Sequence, residues 1–307
     1  MRVFLMGGTG LVGNRLIKQL HQRGDEVVLL TRRPDVARDR WGDAVQVVQG
    51  DPMQAGDWLR AVDDCGAVVN LVGEGIFNRR WNAEFVQLLR DSRVKSSANV
   101  AGALAARPRT ADGTAKVLVN ASAIGFYGPH GDEELTEDSP AGNDVMAEIC
   151  VAWEAAVQPA EAAGVRTTRV RVGVVLDPEG GALREMSKPF KMFMGGPVGL
   201  TGSQYISWIH HHDMAGLLLL ALDNPACQGP LNATAPGPVT NKQFSKALGR
   251  ALHRPSFMPA PKIMVRLVLG GVAQVVTKGQ RVLPKKALAQ GYEFKFSEVT
   301  AALADVV

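Results

Sequence analysis

Short, unbroken apolar runs alternate with amphipathic stretches through the N-terminal half of the chain. Runs at 3–6, 27–30, 45–48, 67–71, 117–119 and 167–172 predict six strands. They are rich in Val and Leu and do not alternate with polar residues, the signature of strands covered on both faces. A parallel sheet with helices on both sides is the architecture that does this. A helical pattern at 11–20 follows the first run. Two long helices are expected at 82–105, with Phe85, Leu88, Leu89, Val94 and Ala98 near one face, and at 144–162, with Asn143 as N-cap and Gly164 as stop. The segment 128–142 between them carries Asp132, Glu133, Glu134, Glu137 and Asp138, and its length suits the edge of an active site.

Near Asp177 the composition turns to Gly, Met and Pro until about residue 207, as expected of an excursion that helps enclose a ligand. A helix at 213–222 with Asp213 as its cap comes next, and a boundary falls at 229–238. Thr240 and Gln243 form a capping-box start. Pro261 and Pro284 are placed to open two further helices at N1. The expected fold is α/β: a Rossmann-type doubly wound parallel sheet over 1–235, with its excursion at 177–207, and a smaller, mostly helical C-terminal lobe over 236–307. The apolar stretch 263–276, with Arg266 as its one charge, suits a membrane, a second subunit or the core, and burial against the core is the ordinary reading.

Composition narrows the function classes. Across 307 residues the net charge is +4, too small for a nucleic-acid groove, and 46% hydrophobic with 21% charged residues describes a soluble globule. Cys65, Cys150 and Cys227 are too few and too scattered for a disulfide framework or a cysteine-rich zinc site, which points to a reducing compartment. The opening MRVFLMGG breaks into glycines too early for a leader and reads as a strand, and no apolar run has membrane-spanning length. A cytoplasmic protein is expected, monomer or homodimer, acting on a small molecule, with neither nucleic acid nor membrane as partner.

The strongest chemical signal is VFLMGGTGLVGNRL. Gly7, Gly10 and Gly13 have the spacing GxxGxxG between a strand and a helix. Such a turn brings backbone amides around Leu11 and Val12, and the Thr9 hydroxyl, onto a pyrophosphate at a helix N-terminus. An NAD site usually ends its second strand on an acid that binds the ribose 2′-hydroxyl. Here the strand ends on Thr31, Arg32 and Arg33, groups that bind a phosphate. NADP(H) is therefore expected over NAD(H). Asp51 either lies near the adenine or caps a turn. Asn70, Leu71, Val72 and Gly73 end the fourth strand where the second ribose belongs, and Glu74 faces either substrate or water.

GGTGLVG, NLVGEGIFNRRW, NASAIGFYG, RVGVVLD, GGPVGLTGSQYISWIHHHD and GPLNATAPGPVTNKQFSKALGRALHRP together resemble the atypical extended short-chain dehydrogenase/reductases, described as NAD-dependent epimerase/dehydratase-like or sugar nucleotide epimerase-like, which carry a small C-terminal domain of unknown function. The resemblance spans essentially the whole chain and implies a Rossmann core closed by a C-terminal lobe. It also implies a Tyr acid/base, a Lys four residues later that lowers its pKa, and a Ser that orients the substrate carbonyl. Matching Glu154 to the acid after that pair puts Met146 at the Tyr position and Cys150 at the Lys position. Ser122 matches the Ser, after Ala121. Tyr127 is either a surrogate acid or packing, and Cys150 either a thiol acid/base or inert. Arg171 and Gly173 fall near the nicotinamide side, Arg171 alternatively pairing with an acid. Met146, Gln204, Trp208 and His210 are expected to line the substrate pocket. The adjacent His210, His211 and His212 do not converge on one ion, so no metal is expected. The reading is an NADP(H)-dependent oxidoreductase or epimerase on a small or nucleotide-linked carbonyl or alcohol; the alternative is a non-catalytic NADP(H)-binding redox sensor or interaction protein.

Overall fold

A computed structural model of the chain describes residues 1–307, the side chains at 268 and 269 excepted. The N-terminal part runs β1 (Arg2–Met6), α1 (Leu11–Gln22), β2 (Glu26–Thr31), α2 (Pro34–Trp41), β3 (Gln46–Gln49), β4 (Ala67–Asn70), α3 (Ala83–Ala106), β5 (Val117–Ala123), a short β6 (Glu134–Leu135), α4 (Val145–Ala155), α5 (Gln158–Ala162) and β7 (Arg166–Val172). The chain continues through β8 (Val174–Leu176), α6 (Gly181–Lys191), β9 (Tyr205–Ile206), β10 (Trp208–His210), α7 (His211–Asp223) and β11 (Gly229–Ala233). It ends with β12 (Val239–Thr240), α8 (Asn241–Ala251), α9 (Lys262–Leu269), α10 (Ala273–Thr277), β13 (Arg281–Val282), α11 (Lys285–Ala289) and α12 (Val299–Val306).

Seven parallel strands form the main sheet in the order β11-β7-β5-β4-β1-β2-β3. The unbroken apolar runs are explained by its two faces. Val3, Leu5, Val27 and Leu29 pack with α1 and α7 on one side, while Phe4, Met6, Val28 and Leu30 pack with Val100 and Leu104 of α3 on the other. The chain winds from β1 outward to β2 and β3, then crosses back to β4. Ligands bind such sheets beyond the carboxyl ends of the strands at this reversal, which here joins Gly7 to Leu71. A Cβ on Gly7, whose φ is +79°, would stand 2.8 Å from the Leu71 carbonyl carbon.

Several expectations are corrected. The 144–162 helix is two helices, α4 capped by the Asp144 side chain and not by Asn143. The segment 229–238 holds a seventh strand, β11, hidden in sequence by Gly229 and Pro230; a proline is tolerated because β11 lies at the sheet edge. On α3, Ala98 is exposed, and the buried positions after Leu89 include Ser92, Ser96 and Ser97, whose hydroxyls find partners. Pro261 and Pro284 precede α9 and α11 as caps. The N-cap of α7 is His210, which accepts from the His212 amide; Asp213 lies within the first turn. Thr240 and Gln243 do form the capping box.

Leu176, Leu183, Phe190, Trp208, Phe244, Leu248 and Leu303 share one core, so the excursion and the C-terminal helices form one lobe. Arg15 of α1 grips Asp177 through two bonds of 2.9 Å, fastening the lobe to the helix that follows the glycine turn. The acidic segment 128–142 is also a seam: β6 pairs with β13, and buried Glu137 accepts from the amides of Asn232 and Lys286. Ile263 and Leu267 are each 70% exposed while Val272 and Ala273 are buried, so the expected burial fails for the first half of that stretch and holds at these two positions of the second. Among the described residues no helix is long and apolar enough to cross a membrane.

Candidate functional site

The glycine turn packs closely against the start of α1. A Cβ on Gly13 would lie 2.5 Å from the Gly7 carbonyl oxygen, so α1 rests directly on the turn. Gly10 is the N-cap, no side chain caps the helix, and no acid stands in its first turn. The amides around Leu11, Val12 and Gly13 and the positive end of the helix dipole are thus left for an anion. Thr9 and Leu11 are half-buried at the rim.

At the end of β2 the Thr31 hydroxyl accepts from the Arg33 amide at 3.0 Å, which sets the turn. Arg32 and Arg33 are exposed and line a groove of about 530 Å³ with Pro34, Asp35, Arg38 and Gln49. The nearest acid is engaged elsewhere: Asp35 pairs with Arg38 at 3.2 Å. Neither Arg32 nor Arg33 has a carboxylate within 4 Å among the described residues. Arg38 is an addition that the sequence pattern did not single out; it sits one turn into α2 and reaches the groove by helical spacing alone. The uncapped turn and this acid-free arginine pair fit a phosphate-bearing dinucleotide. Asp51 caps a turn by accepting from the Met53 amide.

At the end of β4, Asn70 is fully buried. It donates to Asn120 Oδ1 at 2.8 Å and to Ser97 Oγ at 3.0 Å, and accepts from the Val72 amide. The side chain thus fixes the loop: the Val72 amide is bonded to Asn70 and the Leu71 amide to the Met6 carbonyl. Glu74 is half-buried and accepts from Asn78.

The expected catalytic groups lie inward. Ser122 is buried and donates to Glu154 Oε1 at 2.7 Å, so its proton is committed to the interior. Arg171 is not at a cofactor surface: it is buried, holds Glu154 at 2.8 and 3.0 Å, and donates to Tyr127 Oη at 2.9 Å and to the Glu137 carbonyl. The structural alternative, pairing with an acid, is the one realised. Tyr127 donates to Asn232 Oδ1 at 2.6 Å, and burial pushes its hydroxyl up to about 12. Cys150 is buried, and its thiol is also pushed up to about 12 by burial. Neither is poised for proton transfer near neutrality. Ala121 is buried within β5, and the Gly173 amide bonds the Ala233 carbonyl where the chain leaves the sheet.

Two pocket assignments are likewise corrected. Trp208 is fully buried and donates to the Gly237 carbonyl. His210 is buried and stacked on Phe296 at 3.8 Å. Its Nδ1 accepts from the His212 amide, so Nε2 carries the proton and donates to Asp305 at 3.1 Å. Burial pulls its pKa down to about 4. Ligand atoms of His210, His211 and Asp305 do come within 4.8 Å of one another, but both ring nitrogens of His210 are already in use. Gln204 is half-buried and donates to the Val198 carbonyl. Met146 packs beside Gly125 and Phe85.

The description "NAD dependent epimerase/dehydratase family" matches residues 3–233, and "Domain of unknown function (DUF1731)" matches 260–306. The chain belongs to the NAD dependent epimerase/dehydratase family. Within this family, the bovine epimerase family protein SDR39U1 is 40% identical over 313 residues, covering 100% of both chains. A crystal structure of human SDR39U1 with NADPH superposes with a TM-score of 0.87 at 36% identity, covering 100% of this chain and 99% of that one. The UDP-glucose 4-epimerase of Thermus thermophilus, solved with NAD, gives a TM-score of 0.77 at 19% identity, covering 100% and 98%, which shows a shared fold. The resemblance read from the sequence strings and the Rossmann-like core are both established.

Proposed function

We propose that the protein binds NADP(H), with the pyrophosphate on the Gly7–Gly13 turn and the 2′-phosphate between Arg32 and Arg33. The observation that carries this reading is the Arg32–Arg33 pair at the end of β2, neither of which has a carboxylate within 4 Å among the described residues, where an NAD site would place an acid; the one acid in the groove, Asp35, pairs with Arg38. The NADPH in the human relative's structure supports it. The bound group would supply a hydride donor or acceptor at the carboxyl ends of β4 and β5. The role that fits this chemistry is an oxidoreductase or epimerase on a small or nucleotide-linked carbonyl or alcohol.

A second reading, a non-catalytic NADP(H)-binding sensor, is favoured by a specific observation. Ser122, Tyr127 and Cys150 are all buried, and the two hydroxyls are bonded to interior partners. Met146 and Cys150 stand where the family resemblance implies the Tyr and the Lys that move a proton at the reacting carbon. Equilibrium titration with NADPH and NADH tests the binding; tight NADPH and weak NADH support it. Oxidation of NADPH across a panel of aldehydes, ketones and nucleotide sugars separates the two readings. Turnover on any of them selects the enzyme, and none with tight binding selects the sensor.

A further inference from the structure

A dinucleotide that spans the switch point must lay its second nucleoside half over the carboxyl ends of β4 and β5. Arg93 stands at the loop that follows β4. It reaches there from α3, donating from Nη2 to the Glu74 carbonyl at 2.9 Å and from Nη1 to the Leu89 carbonyl at 2.9 Å. A Cβ on Gly73 would lie 3.2 Å from its Cζ, so the guanidinium lies against the backbone expected to meet the ligand. Its other side lies over the Trp153 ring, 5.2 Å from the centroid.

The charge is held without a counter-ion. Among the described residues no carboxylate comes within 4 Å of Arg93, and Glu74 turns its carboxylate to Asn78. A guanidinium has five N–H donors, and two are bonded here, leaving three without a protein partner among the described residues. Burial makes the charged form costly, lowering the pKa from its usual value. An uncompensated, half-buried cation with free donors at a ligand-binding strand end is the arrangement of a binding group and not of a packing strut such as Arg171.

We propose that Arg93 binds the ribose hydroxyls on the nicotinamide side of the cofactor, supplying from α3 the cation that position 150, a cysteine, does not supply from α4. The proposal rests on the NADP(H) reading above. It assigns Arg93 to the half that NADPH and NADH share, and Arg32 to the half that NADPH shares with 2′,5′-ADP.

Three ligands separate these roles by calorimetry: NADPH, NADH and 2′,5′-ADP, the last lacking the nicotinamide ribose. Arg93→Ala is expected to weaken NADPH and NADH alike by about 10- to 100-fold, the scale of one charged hydrogen-bonding group, with 2′,5′-ADP unchanged. Arg32→Ala is expected to do the reverse, weakening NADPH and 2′,5′-ADP and sparing NADH. Retained 2′,5′-ADP binding is also the control for folding, and Arg93→Gln keeps part of the stem over Trp153 should the alanine variant be unstable. Wild-type NADPH affinity in the Arg93 variants would overturn the proposal. So would loss of 2′,5′-ADP in both variants, which would make Arg93 a packing residue. Wild-type protein that fails to bind NADPH overturns instead the reading beneath it.

Discussion

Arginines at two strand ends of the same sheet have opposite fates. Arg32 and Arg33, where β2 gives way to α2, are exposed, have no carboxylate partner among the described residues and face an open groove. Arg171, near the end of β7, is buried, with Glu154, Tyr127 and the Glu137 carbonyl taking its donors. The residue type and the strand-end position are the same. What differs is whether the chain itself supplies the acceptors. A guanidinium satisfied from within fastens the fold, and one left unsatisfied awaits a ligand. Arg93, bonded by two carbonyls but by no acid, stands between these cases.

The comparison breaks if a change at the interior cluster alters cofactor choice while stability holds. The largest effect is expected from Glu154→Ala, which strands the buried Arg171 charge. A loss of about 3–5 kcal/mol by denaturant unfolding follows from removing one partner of a buried pair. NADPH-over-NADH preference is expected to survive in whatever fraction folds. Next is acid sensitivity at His210. Its folded pKa lies near 4, below the unfolded value near 6.5. The unfolded chain therefore binds the extra proton between those values, and stability falls as pH drops from about 6.5 toward 4, by up to about 3 kcal/mol from this group. His210→Asn, which keeps an N-cap acceptor for the His212 amide, is expected to flatten that limb in unfolding curves measured from pH 7 to 4. Smaller again is Tyr127→Phe, which leaves Asn232 and one Arg171 donor short of a partner, at about 1–3 kcal/mol. If Tyr127 were instead a proton donor, the same variant would fold normally and lose turnover.

Sequence pattern carried the sheet well because burial on both faces leaves an unbroken apolar run, as in VFLM and VVLL. It carried the glycine turn because glycine spacing reports backbone contacts directly. Strand β11 escaped because GPLNA carries the proline that an edge strand permits. The buried face of α3 escaped because Ser92, Ser96 and Ser97 look like a solvent face until their partners are known: Ser92 and Ser97 bond the distant Glu74, Asn120 and Trp153, and Ser96 bonds back to the Ser92 carbonyl. The same limit applies to Arg171, Ser122 and His210: sequence locates a group at a strand end but does not say which of its neighbours consumes its hydrogen bonds. Arg93 sits mid-helix in RDSRVKSS, with nothing nearby in sequence to mark its approach to Gly73.

The most direct test of the open-arginine account is a pair of binding isotherms, NADPH and NADH, on the wild-type chain and on the Arg32→Ala/Arg33→Ala double variant. The account predicts that wild type prefers NADPH by at least about tenfold, and that the double variant loses that preference with its unfolding midpoint and its NADH affinity unchanged. Equal wild-type affinities, or a double variant that still prefers NADPH, would contradict it.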